Sequence, residues 1–380
     1  HFFDHSHEVH LVSSLPAQYG DAIRISARVK GNIFQADDIE GQLYIEGTDL
    51  QAATLITGDL PLGLDVQSGA GDLKVWSEWK HSKPYQIDGY IQAQQINIRR
   101  NQAKPVHMDT FQANFSWSDQ DGRWRLAGYD IDIFTQRQRW PDGAFYLQQD
   151  AAGNLSGLIK QLDLPAAMLL APLLVPAEPS QADWLKLNPS GRLHDVSLFV
   201  SQDLQHYAVR GDFDELGNEH YGAIPQLRHV SGQLSVTDQY GQIVFDTHDA
   251  QADVSDLFRN PLELKRLQGT LHWWQTADAW QFYSQQLEAD SADFATVSSL
   301  NLLIPKGEAA PVLDMRTRFG AFLDISQAKN YLPAKIMNEG AVAWLDDAFI
   351  KGQVRRGEMV IQGALDQFPF TEGQGRFETV

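Results

Sequence analysis

Histidines, paired carboxylates and tryptophans are the residues of this chain whose types and spacing could support chemistry. His5, His7 and His10 stand near its start. On an extended segment His5 and His7 share one face while His10 takes the other, and no carboxylate completes a ligand register, so no metal site is expected. Asp212-Phe213-Asp214-Glu215-Leu216-Gly217 begins like a calcium loop, with the glycine in sixth place. Leu216 stands where an oxygen ligand is needed and Ala223 where a bidentate Glu is needed, so the segment reads as a turn. Asp130/Asp132 and Asp212/Asp214 are same-face strand neighbours of the kind a glycosidase acid pair would need. Carboxylates are dispersed throughout the chain, and the pairs read as part of a polar outer face. No Gly-x-x-x-x-Gly-Lys-Ser/Thr phosphate loop, His-Glu-x-x-His helix or Gly-x-Ser-x-Gly elbow occurs. No catalytic residue, metal or cofactor is assigned, and the chain is expected not to be an enzyme.

The tryptophans point elsewhere. Trp117 and Trp124 flank a short polar turn, and Trp273 and Trp280 flank another. Phe111, Phe115, Trp117, Trp124 and Leu126 of the first segment align with Leu267, Leu271, Trp273, Trp280 and Phe282 of the second at one constant offset. An internal repeat of a β-hairpin implies an array that grows by addition of like units. It favours a continuous surface over a single pocket. The aromatic residues fall in phase with their apolar neighbours, as core or groove lining. Trp274 breaks the phase and should point outward.

The elements that must carry these residues are strands. Ile23, Ile25, Ala27 and Val29 alternate with Arg24, Ser26 and Arg28; Leu43 and Ile45 repeat the pattern, as do Ile87, Ile91 and Ala93. After Gln94-Gln95 the apolar phase slips by one residue to Ile96 and Ile98, the mark of a β-bulge. Further alternating runs include Val196/Leu198/Val200, Tyr207/Val209, Leu234/Val236, Ile243/Phe245 and Met359/Ile361. The expected fold is mainly β: a long, curled antiparallel repeating β-groove, taco-like, with a few short helices. Leu162–Leu174 carries Pro165 and Pro172 and should form at most a short broken helix. Ser326–Leu332 should make one turn or two. Asn338–Ile350 is the best helix candidate, with Ala341, Trp344, Leu345, Ala348 and Phe349 on one apolar face. Breaks near Pro176–Ser180 and Pro305–Pro311 suggest three blocks: 1–176, 177–305 and 306–380, the last carrying the helix at 338–350.

Composition narrows the partners. The chain has 380 residues, 30 Lys and Arg against 49 Asp and Glu, a formal charge of −19, and no cysteine. That charge repels phosphate backbones, so nucleic acid is excluded as a partner. No apolar run approaches the ~20 residues of a membrane helix. The opening His1-Phe2-Phe3-Asp4 and the closing Gly375-Arg376-Phe377 lead us to expect an internal segment of a longer protein.

One ordered set of phrases is specific. Tyr331-Leu332-Pro333, Trp344-Leu345-Asp346, Gly352, Phe368-Pro369-Phe370 and Gly375-Arg376-Phe377 follow Trp140-Pro141-Asp142-Gly143, Asn188-Pro189-Ser190-Gly191 and Leu257-Phe258-Arg259-Asn260-Pro261-Leu262. Together they resemble the YhdP family of AsmA-like bacterial envelope proteins, which are similar to TamB and to bridge-like lipid-transfer proteins. The resemblance implies a periplasmic location, an inner-membrane anchor elsewhere in the full-length protein, and a groove that carries phospholipid acyl chains between inner and outer membranes. Partners would then be phospholipid acyl chains and, through the ends of the full-length protein, the two membranes.

The residues expected to line such a groove are Ile23, Ile25, Leu43, Ile45, Ile91, Phe115, Trp117, Trp124, Leu126, Leu271, Trp273, Trp280 and Phe282. Two rivals stand beside intermembrane phospholipid transport. A non-catalytic envelope scaffold would bury these side chains in a closed core. A carbohydrate-active β-enzyme would turn its tryptophans outward beside an acid pair.

Overall fold

The computed structural model describes residues 6–30, 40–56, 63–135, 138–174, 186–222, 224–322, 324–332, 334–335, 337, 339–368, 370 and 373–380. His5, Pro176–Ser180, Ala223, Pro333, Asn338, Pro369 and the Ala341 side chain lie outside that description.

The fold is mainly β, as the alternation predicts. In chain order the strands are β1 (Ser6–Ser14), β2 (Ala22–Lys30), β3 (Glu40–Gln51), β4 (Leu64–Lys80), β5 (Lys83–Arg100), β6 (Val106–Gln120), β7 (Arg123–Thr135), β8 (Gln138–Gln149), β9 (Leu155–Asp163), β10 (Ser190–Val200), β11 (Tyr207–Asn218), β12 (Gln226–Thr237), β13 (Tyr240–Asp253), β14 (Leu262–Gln275), β15 (Ala279–Asp290), β16 (Phe294–Pro305), β17 (Val312–Phe322), β18 (Gly357–Ala364) and β19 (Arg376–Thr379). The helices are α1 (Ala52–Leu55), α2 (Leu164–Leu174) and α3 (Glu339–Ala348), with 3₁₀ turns at Ile325–Tyr331 and Leu365–Gln367.

The chain forms two compact units. His1–Leu185 with His194–Tyr207 makes the first, and Lys186–Leu193 with Ala208–Val380 makes the second. In the first unit β1 to β9 pair antiparallel, each with the next in the chain. In the second, β11 to β19 do the same.

Bulges interrupt the ladders. Gln95 adopts φ 52°, and the β4–β5 register slips between Val66 and Ala70, so the phase change read at Gln94-Gln95 is a bulge. Asp130 (φ 51°) and Asp142 (φ 54°) play the same part in β7 and β8. In the second unit Glu215 (φ 53°) and His229 (φ 57°) mark slips in β11 and β12. The expected turn at Asp212–Gly217 is thus corrected. The segment lies inside β11, and Glu215 is its bulge residue, where the register slips between Phe213 and Leu216. A short polar segment with a glycine looks the same in sequence whether the chain reverses or only bends.

The helices also depart from expectation. α2 is continuous from Leu164 to Leu174 rather than broken. Pro165 sits in the first turn, where no intrahelical partner for its missing N–H exists, and the Asp163 carboxylate accepts the Ala166 N–H at 2.9 Å as a cap. α2 packs on the first unit, where Leu170 joins a cluster with Ile96, Val106, Met108, Ala113, Ile131 and Ile133. A second cluster, Phe213, Val230 and Ala250, anchors β11 to β13.

α3 forms where predicted, but its inward face is rotated. Val342, Leu345, Asp346 and Phe349 are half-buried, whereas Ala348 is exposed and Trp344 is 68% exposed. A polar contact sets this orientation. Arg259, in the β13–β14 connection, donates two hydrogen bonds to the Asp346 carboxylate at 2.9 and 2.7 Å. Nearby, the Lys335 N–H reaches the Leu257 carbonyl at 3.2 Å, and the Tyr331 hydroxyl donates to Asp293 at 2.7 Å. Apolar periodicity alone selects Trp344; the bidentate pair turns Asp346 inward instead.

The hydrogen bonds from Arg259 hold the Asp346 carboxyl below its ordinary range. A depressed folded value means the stabilisation is present above the unfolded pKa, near 3.9, and disappears as pH falls through the folded value. We expect Asp346→Asn to melt below the parent at pH 7, with the gap closing as pH drops below about 4. Thermal melts at both pH values check this; an equal gap at each, or none at pH 7, refutes the anchoring role.

Candidate functional site

Ladder partners in an antiparallel sheet point to the same side, so the registers define each face. In the first unit one row runs Leu11–Ile25–Ile45–Val75–Gly89–Phe115–Gly128–Phe145–Ile159, one residue from each of β1 to β9. The adjacent row on that side runs Val9–Ala27–Leu43–Ser77–Ile87–Trp117–Leu126–Leu147–Gly157. Ile23 shares a strand face with Ile25, Ile91 pairs with Ala113, and Trp124 pairs with Asp119 two places beyond Trp117. Nine strands ~4.8 Å apart make this apolar floor roughly 40 Å wide across the strands.

The second unit repeats the arrangement. Its row runs Val209–Val236–Gly241–Trp273–Phe282–Leu302–Leu313–Gly363 across β11 to β18. Leu271 pairs with Ile243 beside it, and Trp280 lies between Gln275 and Ile304. The structure therefore gathers the expected lining residues onto one apolar face within each unit. The repeat holds at the level of register. Trp117 pairs with Leu126 and Asp119 with Trp124; Trp273 pairs with Phe282 and Gln275 with Trp280. It extends through the bulge, since Gln112 opposite Asp132 matches Gln268 opposite Glu288. Trp274 pairs with Tyr240 and Gln281 on the other side, as its broken phase implies.

Two glycines shape the floor. A Cβ on Gly89 would collide with the Phe115 ring, and one on Gly241 with the Trp273 indole. Each ring lies flat over its glycine neighbour instead of standing up from the sheet. Periodicity picked out the rings but not the glycines beneath them; a Gly opposite an aromatic was the available signal.

The opposite faces are polar and cross-linked by ion pairs. Arg24 meets Glu46 at 2.9 Å and Arg28 meets Glu8 at 2.7 Å in the first unit. In the second, Arg266 bridges Glu288 at 2.7 Å and Asp290 at 3.0 Å. Asp132 is held by Arg139, and Asp130 accepts from the Asn114 amide at 3.0 Å, so this carboxylate pair is engaged in surface contacts. Two depressions open on these polar sides, of about 500 Å³ beside Gln92, Gln112 and Asp132 and about 360 Å³ beside Gln268, Tyr283 and Glu288. Both are lined mainly by polar side chains, with Phe111, Phe134 and Arg139 also lining the larger and His272 and Tyr283 the smaller. His7 and His10 take opposite faces of β1, and among the described residues no three His, Asp or Glu side chains could hold a metal ion.

The YhdP protein family matches residues 4–380. The chain belongs to the YhdP family. Over 270 residues it is 24% identical to the intermembrane phospholipid transporter YhdP of Escherichia coli (strain K12), a stretch covering 68% of this chain and 21% of that relative. The chain thus spans about a fifth of the length of the relative it matches. No solved structure matches it. Among the described residues no helix is long and apolar enough to cross a membrane. The structure brings several of the sequence phrases together. Arg259 and Asp346, from two of them, bond each other, and Asn260 lies 3.5 Å from Asn330 just before a third.

Overpacking at a flat ring should disturb the floor. Gly241→Val must drive the Trp273 indole upright, and we expect a loss of about 1–3 kcal/mol in urea unfolding. Gly307→Val is the control, because open space surrounds the Cβ site there and its backbone does not need a positive φ. Equal stability of the Gly241 variant and the parent overturns the flat-ring account.

Proposed function

We propose that this chain is a segment of a periplasmic conduit whose apolar face carries phospholipid acyl chains between the inner and outer membranes. The observation that supports this most directly is how little of the apolar face is covered. The largest side chains that are less than 2% exposed are Thr135, Thr247 and Ser284, so no large apolar side chain reaches that depth among the described residues. Twelve of the lining candidates are half-buried and Trp280 is 38% exposed. A closed scaffold of this size would bury such residues fully against a second layer. Membership of the YhdP family and the transport function named for the Escherichia coli relative support the same reading.

The chemistry required is modest. Acyl chains cover the exposed face, gaining ~0.8 kcal/mol for each methylene removed from water. Neighbouring rows offer nearly the same apolar contacts, so a chain exchanges one set for the next with small barriers, while escape into water stays costly. The head group remains at the mouth, in water. No bond is made or broken, and the side chains act only as solvent. Direction must come from a gradient or a partner, because the repeat is alike at both ends.

A charge in the path should block passage, since removing it from water costs several kcal/mol. In the full-length protein, Phe115→Asp combined with Leu271→Asp is expected to lower phospholipid transfer at least ~10-fold while cooperative melting persists. Well-folded protein with normal transfer and normal outer-membrane lipid balance refutes the conduit.

A further inference from the structure

We propose that the glycerophosphate end of the lipid rides along one particular rim of each unit, the rim of short hairpins, where tryptophans donate indole N–H groups to its oxygens. This rests on the conduit reading and says which rim meets the head group. Successive strands are antiparallel, so each floor is bounded by two rows of connections. In the first unit the hairpins His81–Ser82 and Asp121–Gly122 belong to one row; the 101–105 connection and the chain leaving β9 belong to the other. In the second unit 238–239, 276–278 and 306–311 make the hairpin row, opposite 254–261, 291–293 and the long β17–β18 connection.

The two rows are built differently. Opposite the hairpins the chain supplies its own cover. α2 follows β9 there, and its Leu170 packs with Ile96, Val106, Met108, Ile131 and Ile133. In the second unit the Tyr331 ring meets Phe294 edge-on at 4.6 Å, and Phe294 shares the floor side of β16 with Leu300 and Leu302. The hairpin row carries tryptophans instead. Trp79 stands two residues before His81, Trp117 and Trp124 flank Asp121–Gly122, and Trp273 and Trp280 flank 276–278. All lie on the floor side, Trp79 two places beyond Ser77 of the floor row.

A tryptophan has an apolar body and one polar tip, so it suits a boundary between apolar surface and water. Its N–H only donates. The Trp79 N–H goes to the Ser77 hydroxyl at 2.9 Å and the Trp124 N–H to the Gln149 amide oxygen at 2.8 Å. Those of Trp117, Trp273 and Trp280 have no partner among the described residues, and none of the three is a buried orphan. Across from Trp280 stands Ile304, which offers no acceptor. The ester and phosphate oxygens of a phospholipid accept hydrogen bonds and none donates, the complement of a free indole N–H. Exposed Lys80, Lys83 and Lys306 stand in this row, but so do exposed Asp121, Asp278 and Glu308, so recognition rests on the indoles.

The test loads the full-length protein with two phosphatidylethanolamine probes, one with a photoreactive diazirine on the head group and one with it at the end of an acyl chain. Cross-linked peptides are mapped by mass spectrometry. We expect the head-group probe to label 80–83, 119–124 and 276–281 several times more heavily than 101–105 and 254–261. The tail probe should label the floor around Phe115 and Leu271. Trp280→Phe keeps the ring and removes the donor; head-group labelling at 276–281 should fall roughly fivefold, the effect of one lost hydrogen bond, while cooperative melting persists. Head-group labelling that is even on both rows, or heavier at 101–105 and 254–261, overturns the choice of rim and leaves the conduit standing if the tail probe labels the floor. Unchanged labelling in folded Trp280→Phe overturns the indole donation. A tail probe that labels no floor peptide refutes the conduit and this inference together.

Discussion

Everything in this fold depends on the hydrogen-bonded register between neighbouring strands. In an antiparallel ladder the partner of a residue decides its side, and a slip of one residue exchanges the two sides. The chain bends its strands with bulges, each of which is such a slip, so every bulge must be matched by a phase change in the sequence. It is. Ile91 and Ala93 precede Gln95, and Ile96 and Ile98 follow it; Leu126 and Gly128 precede Asp130, and Ile131 and Ile133 follow. The bulge positions hold Asp, Gln, Glu and His, polar residues that stand at φ above zero in this fold and include the Asp and His types that tolerate it best. The strands bend and the apolar side stays apolar.

The same constraint explains what was legible in the residues and what was not. Alternation is a local signal, so the strands, the pairing of Ile25 with Ile45 and the bulge at Gln95 follow from short windows. The repeat carries more, because like spacing about like turns implies like register, and the ladders of Trp117 and Trp273 share the same register on both sides of their bulges. Long-range polar contacts are not local. The inward side of α3 depends on Arg259, which lies far away in the chain, and periodicity placed Trp344 inward instead. α2 failed differently: two prolines suggested breakage, yet one occupies a first-turn position where it costs nothing. The bulge at Glu215 has the same polar, glycine-flanked composition as a turn, so short windows do not separate the two.

Charge and apolar surface divide between the two faces rather than mixing on each. The described ladder partners on the apolar side of β11 to β18 are Val, Leu, Ile, Phe, Trp, Met, Ala, Gly, Ser, Thr, one Gln and one Asn, while Arg266, Glu288, Arg316 and Glu358 pair across the other side. Surface ion pairs of this kind add little stability each. Their value lies in keeping the outer face soluble beside an apolar one of similar extent. A formal charge of −19 acts in the same direction, because like-charged copies repel before their apolar faces can meet.

A sheet with one apolar side requires a second layer, and over most of this chain none is built from the described residues. In the first unit α2 supplies part of one, and it does so with side chains as apolar as a lipid tail. That resemblance ties the fold to its proposed cargo. Where the chain provides its own cover, floor residues such as Ile131 and Ile133 are 6% and 5% exposed; where it does not, Phe115 and Leu271 stay half open. Anything that covers the open rows binds the folded sheet and not the unfolded chain, so it stabilises the fold by mass action. Lipid occupancy and stability would then rise together, and the uncovered rows are where the molecule gains most from being filled.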